Sequence, residues 1–113
     1  MIVSSYYASS LVALERVQEA KSLLRRSISV ARRVLGESHE FTLRTRALYA
    51  EALYKDAGAT LDDLRESVRT FEEIEPSARR VLGGAHPITT QIERYLQDAR
   101  AVLRAREATQ PSA

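Results

Sequence analysis

Apolar residues recur at three- and four-residue intervals along almost the whole chain, a spacing that predicts amphipathic helices. Five are expected. The first covers residues 3–14, with Tyr7, Leu11 and Leu14 on one face. The second covers 16–35, with Val17, Ala20, Leu24, Ile28, Ala31, Val34 and Leu35 as its apolar positions. Gly36 follows where a left-handed C-cap belongs. The third covers 40–55, with Leu43, Ala47, Ala50, Leu53 and Tyr54 on one side, and Ala57-Gly58-Ala59 turns the chain. Thr60 is placed to cap the fourth helix: its hydroxyl can accept from the Asp63 N–H, and the Asp62 and Asp63 carboxylates suit the positive helix end.

The fourth helix keeps one apolar phase through Leu61, Leu64, Val68, Phe71, Ile74, Ala78, Val81 and Leu82, and Gly83-Gly84 stops it. Pro76 falls inside it and removes an N–H bond to the Glu72 carbonyl. A kink near Glu72 to Glu75 with Pro76 facing outward is expected, with a break into two helices as the alternative. The fifth helix begins at Pro87, whose missing N–H costs nothing in a first turn. It buries Ile88, Ile92, Leu96, Ala99 and Leu103. The folded domain is expected to span 1–106, with a disordered tail over 107–113.

The chain also repeats itself. Ala31-Arg32-Arg33-Val34-Leu35-Gly36, followed by His39 and Thr42, returns 47 residues later as Ala78-Arg79-Arg80-Val81-Leu82-Gly83, followed by His86 and Thr89. Upstream the offset is 42, with Tyr7 on Tyr49, Ala8 on Ala50 and Leu11 on Leu53. Five extra residues therefore lie between Leu53 and Phe71. Five exceeds the 3.6 residues of a helical turn, so a longer turn explains them better than an added turn of helix. A repeat of this period marks a unit that buries its apolar face against copies of itself, as binding scaffolds do.

Arg-Arg-Val-Leu-Gly, two residues, His-Pro, one residue and Thr, at residues 79–89, resembles the junction between repeats in kinesin-light-chain-type tetratricopeptide repeat proteins. Residues 32–43 match it with Glu40 in place of the proline. The resemblance covers about Tyr6 to Leu103. It implies an antiparallel helix-hairpin solenoid of about two and a half repeats, and a groove lined by the first helix of each hairpin. In that family the groove helix often carries an asparagine that holds a bound peptide backbone. Leu48 and Tyr95 stand at those positions here, so the expected groove is more apolar and aromatic. Its candidate partner-binding residues are Thr45, Leu48, Glu51, Lys55, Gln91, Tyr95 and Asp98.

Composition narrows the picture. With 113 residues there is room for one domain at most. The chain has no cysteine, which removes disulfides, thiolate zinc sites and cysteine nucleophiles together. No run approaches the ~20 apolar residues of a membrane span and no signal segment is evident, so a cytoplasmic protein is expected. A net charge of +2 is too mild to imply nucleic acid. The basic residues are nonetheless nearly all arginine. Arg25, Arg26, Arg32 and Arg33, seven apart in pairs, form a candidate anion patch on one side of the second helix. No aromatics interleave with them, so nucleic acid is not the expected partner.

The remaining polar residues read as structure. His39 and His86 occupy equivalent positions one repeat apart, without cysteine or a recurring carboxylate, and are expected to cap helices. Asp62-Asp63 and Glu72-Glu73 are sequence neighbours pointing ~100° apart, so neither pair makes an acid–base site. Glu75 and Arg79 have the spacing of a surface ion pair. Among Tyr6, Tyr7, Tyr49, Tyr54 and Tyr95, Tyr7 and Tyr49 are expected to pack between repeats, and Tyr95 to face the groove with Leu48. No catalytic, cofactor or metal constellation is present. The expectation is a protein-interaction scaffold that is not an enzyme and binds a protein or peptide partner. The alternatives are a structural segment that forms a homo-oligomer or stacks within a longer array, and an anion or nucleic-acid binder using the arginine-rich second helix.

Overall fold

The computed structural model describes the backbone of residues 2–109 and the side chains of residues 16–109. The described chain is all-α, with α1 (Ile2–Val34), α2 (Glu40–Lys55), α3 (Leu61–Leu82) and α4 (Pro87–Thr109). Each helix packs on the next in sequence, and α2 also touches α4. No helix among the described residues is long and apolar enough to cross a membrane.

The two helices expected over 3–14 and 16–35 are one helix, so there are four rather than five. The reason is local. Leu14-Glu15-Arg16 contains only good helix formers, and no glycine or proline precedes Gly36. Nothing there terminates the hydrogen-bond ladder. At the other end of the chain, α4 runs on to Thr109, past the expected boundary at residue 106, while residues 110–113 lie outside the described part. The side chains of Tyr6, Tyr7, Leu11 and Leu14 also lie outside it.

The main core joins α2, α3 and α4 through Leu43, Ala47, Ala50, Leu64, Phe71, Ile74, Ala78, Ile92 and Ala99. Tyr54, Phe71 and Tyr95 meet with ring centroids 6.0–6.3 Å apart, one aromatic from each helix. α2 and α3 approach closely because Ala50 leaves room for Ser67, whose buried hydroxyl donates to the Ala50 carbonyl at 2.7 Å. The first helix takes less part. Of its expected buried positions only Ala31 is buried; Val17, Leu24 and Ile28 are half-buried, and Ala20, Val34 and Leu35 are exposed. Lys21 of α1 is buried as well, with its ammonium 2.6 Å from the Asp56 carboxylate at the end of α2.

The duplicated block places a positive-φ glycine and a histidine cap at both sites, although the glycine N–H bond spans five residues at the first and four at the second. Gly36 and Gly83 follow α1 and α3 with φ of 97° and 95°, a region L side chains disfavour. Their N–H groups donate to Ala31 and Arg79 carbonyls, both at 3.1 Å. His39 Nδ1 accepts from Phe41 N–H at 3.0 Å, and His86 Nδ1 from Ile88 N–H at 3.1 Å. Both histidines therefore cap helices, as their equivalence suggests. Thr60 closes a capping box with Asp63: its hydroxyl accepts from the Asp63 N–H, and the Asp63 carboxylate accepts from the Thr60 N–H. Helix α3 continues unbroken through Pro76, which is exposed.

The five extra residues are also accounted for. Residues 56–60 form the turn between α2 and α3. By the offsets of 42 and 47, Lys55 corresponds to Ala13 and Leu61 to Leu14. The first copy lacks this turn, and there the helix runs straight on.

Candidate functional site

The contact between α2 and α4 brings most of the expected groove residues together. On α2, Leu48 is 45% exposed. Two turns on, Lys55 Nζ lies 2.6 Å from the Glu51 carboxylate. The same ammonium sits 5.1 Å from the centroid of Tyr95 on α4 and 6.0 Å from that of Tyr54, within cation–π range. Gln91 donates to the Tyr95 hydroxyl at 3.0 Å. Asp98 is exposed one turn further along α4. Glu51, Lys55, Gln91 and Tyr95 thus form one polar network across the two helices, with Leu48 on the α2 side.

Thr45 does not belong to this surface. It is buried, and its hydroxyl donates to the Phe41 carbonyl at 2.7 Å. A short side chain that turns back onto its own helix is covered by its longer neighbours. Val102, 36% exposed and one turn beyond Asp98, extends the α4 side. Its place at the fourth position after Asp98 is the signal that could have added it.

The electrostatics follow from this packing. Burial pushes the Tyr54 phenol up to about 12. Burial first, and the Glu51 carboxylate second, raise the Tyr95 phenol above its ordinary range. The hydrogen bond to Glu51 raises the Lys55 ammonium. Tyr95 is therefore a neutral donor and acceptor beside a paired cation, suited to recognising a polar edge next to apolar surface.

The four arginines of the candidate anion patch do not share one side. Residues adjacent on a helix diverge by ~100°, so Arg25 goes with Arg32 and parts from Arg26. Arg25 and Arg32 line a cleft of about 540 Å³ with Ile28, Ser29, Arg46, Tyr49, Glu66 and Thr70. Arg25 donates to the Tyr49 hydroxyl at 2.9 Å. Arg32 pairs with Glu37, and this hydrogen bond holds the Glu37 carboxyl below its ordinary range. Arg46, which the sequence reading did not single out, bridges Glu37 at 3.6 Å and Glu73 at 2.7 Å. Carboxylates thus meet Arg32 and Arg46 at close range, while Arg25 is engaged by the Tyr49 hydroxyl. Arg26 lies elsewhere, beside a second groove of about 450 Å³ lined by Ser27, Val30, Ala31, Val34, Leu35 and Phe41. Arg33 is exposed.

Among the described residues, no group of three or more His, Cys, Asp or Glu side chains is placed to hold a metal ion. Compared with models of protein families, with curated proteins and with solved structures, the chain matches none.

Proposed function

We propose that the chain is a helical-repeat interaction module of the tetratricopeptide type, which takes a segment of a partner protein on the α2–α4 face. The observation that carries this reading is the placement of Lys55 against the Tyr95 ring, which sets two helices in equivalent repeat positions side by side. Leu48 supplies apolar surface on that face, and the Glu51, Gln91 and Tyr95 groups supply hydrogen bonds that fix register. The duplicated helix junctions support the repeat reading, since the same glycine and histidine geometry ends one unit and starts the next. The role is binding, with no chemical step.

The test compares partners captured by the wild-type chain with those captured by a Leu48→Ala/Tyr95→Ala variant, after circular dichroism has shown equal helicity. Loss of the wild-type partners is expected. Capture of the same partners in the same amounts would place the binding surface elsewhere.

A further inference from the structure

We infer that two copies of this chain exchange their first helical segments, residues 2–14 of each lying in the Val30–Val34–Phe41 groove of the other. The inference stands on the internal repeat, and is independent of the partner-binding reading of the α2–α4 face.

Three observations converge on it. The first is a vacant seat. Leu23, Val30, Val34 and Phe41 are 62%, 49%, 68% and 48% exposed, and the last three line an apolar groove of about 450 Å³. Positions 47 residues on from the inner edge of this face show what it is for. Ala20 is exposed and Ser27 half-buried, while their equivalents Ser67 and Ile74 are fully buried in the α2–α3–α4 packing. The outer edge stays open in both copies, Val81 being 49% exposed where Val34 is 68%. At Ser67 the cover is α2 itself, through the Ala50 carbonyl. The equivalent face of α1 calls for a helix with the pattern of α2.

The second is a segment with that pattern. Residues 2–14 repeat the Tyr49, Ala50 and Leu53 of α2 as Tyr7, Ala8 and Leu11, and contain no charged residue at all. Thirteen uncharged residues in a chain that is 28% charged describe a helix that needs cover.

The third is the missing turn. In the second unit, residues 56–60 let α2 fold back on α3; the first unit lacks the equivalent five residues, and α1 runs straight through. Lys21 is level with the end of α2, so residues 2–14 continue past it, away from their own groove. Shortening the connection between two packed elements is a route to domain swapping: the contacts stay the same and come from another copy. A helix of this length is ~20 Å long and ~10 Å across. Two such seats bury on the order of 1,400 Å², within the range of stable interfaces.

The experiment uses the full chain in sedimentation velocity over a concentration range. The wild type is expected to dimerise. Val34→Glu spoils the groove and Leu11→Glu spoils the segment, and each alone is expected to weaken dimerisation at least tenfold. Mixed together, they retain one intact seat, so the mixture is expected to form a heterodimer that neither variant forms alone. Inserting Asp-Ala-Gly-Ala-Thr between Ala13 and Leu14 restores the turn and is expected to give a monomer of unchanged helicity. A wild type that stays monomeric at all concentrations would overturn the exchange, whether the segment folds back on its own groove or the groove stays open. A dimer indifferent to both substitutions, or one that survives the inserted turn, would place the interface on another face.

Discussion

Lys21 and Asp56 form a buried ion pair at 2.6 Å, with side chains only 6% and 8% exposed, joining the middle of α1 to the end of α2. The Asp56 carboxylate also accepts from the Gly58 N–H at 3.0 Å. Lys21 first, and Gly58 second, hold its carboxyl below the ordinary value of 3.8. A carboxyl depressed in the folded state stabilises the fold above its unfolded value, and that contribution is lost as pH falls through the folded value. Asp56→Asn should leave a buried ammonium unpaired and cost about 3–5 kcal/mol in neutral urea melts. The difference from wild type should narrow as the pH is taken well below 3.8. Lys21→Met combined with Asp56→Asn should recover much of the loss, because an apolar pair needs no mutual compensation. A single Asn variant as stable as wild type at neutral pH would show that the pair is not closed in solution.

Pro76 gives a prediction of opposite sign. It sits exposed inside an unbroken α3, where it leaves the Glu72 carbonyl without its helical donor. Alanine fits the same position without a clash and restores the bond. Its greater freedom in the unfolded chain offsets part of the gain. Pro76→Ala should therefore stabilise the protein by about 1–3 kcal/mol, seen as a Tm higher by several degrees. A lower Tm would mean that the proline shapes α3 in a way the core requires.

How much of this was legible in the sequence depends on whether a feature is local. The Thr60 cap, the glycine stops at Gly36 and Gly83, and the apolar phase of α3 rest on neighbours within four residues. The cap and the stops are found where the pattern places them, and the phase holds at Leu64, Val68, Phe71, Ile74 and Ala78, while Val81 at the open end of α3 is 49% exposed. The α1 break was misread because the repeat argued for it while Leu14-Glu15-Arg16 supplied nothing to make it. Nothing in the neighbouring sequence marks Lys21, since its partner lies 35 residues away. The same distance effect hid Arg46, whose partner Glu73 is 27 residues on. In the candidate site, the repeat resemblance placed Leu48, Lys55 and Tyr95 on the surface of α2 and α4, where Leu48 and Lys55 are exposed and Tyr95 half-buried. It failed for Thr45, which is small enough to be covered from the edge of the same face.

The two repeat-equivalent threonines carry a further test. Thr42 and Thr89 are fully buried, and their hydroxyls have no hydrogen-bond partner among the described residues. Valine keeps the branched shape and removes a desolvated polar atom. Thr42→Val and Thr89→Val should each be neutral or stabilising by up to about 1 kcal/mol. Tyr54→Phe should behave likewise, since the Tyr54 hydroxyl is also buried without a partner. Ser67→Ala is the contrast: it deletes the bond to the Ala50 carbonyl and should cost about 1–2 kcal/mol. If the threonine variants lose as much as Ser67→Ala, an ordered water satisfies those hydroxyls.

The two histidine caps should not be worth the same, although their geometry is. In each, Nδ1 accepts a backbone N–H, which requires the ring proton on Nε2. His86 fixes the first turn of α4 through Ile88, which is 8% exposed and part of the core. His39 fixes the first turn of α2 through Phe41, which is 48% exposed. Fraying at α4 would pull an apolar side chain out of the core, whereas fraying at α2 would move one already in water. His86→Ala should therefore cost about 1–2 kcal/mol and His39→Ala less, while His86→Asn, a good N-cap, should retain most of the stability. Nitrogen-15 shifts of the two imidazoles should report the Nε2–H tautomer in both. Equal losses for the two alanine variants would show that the core anchors α4 without help from its cap.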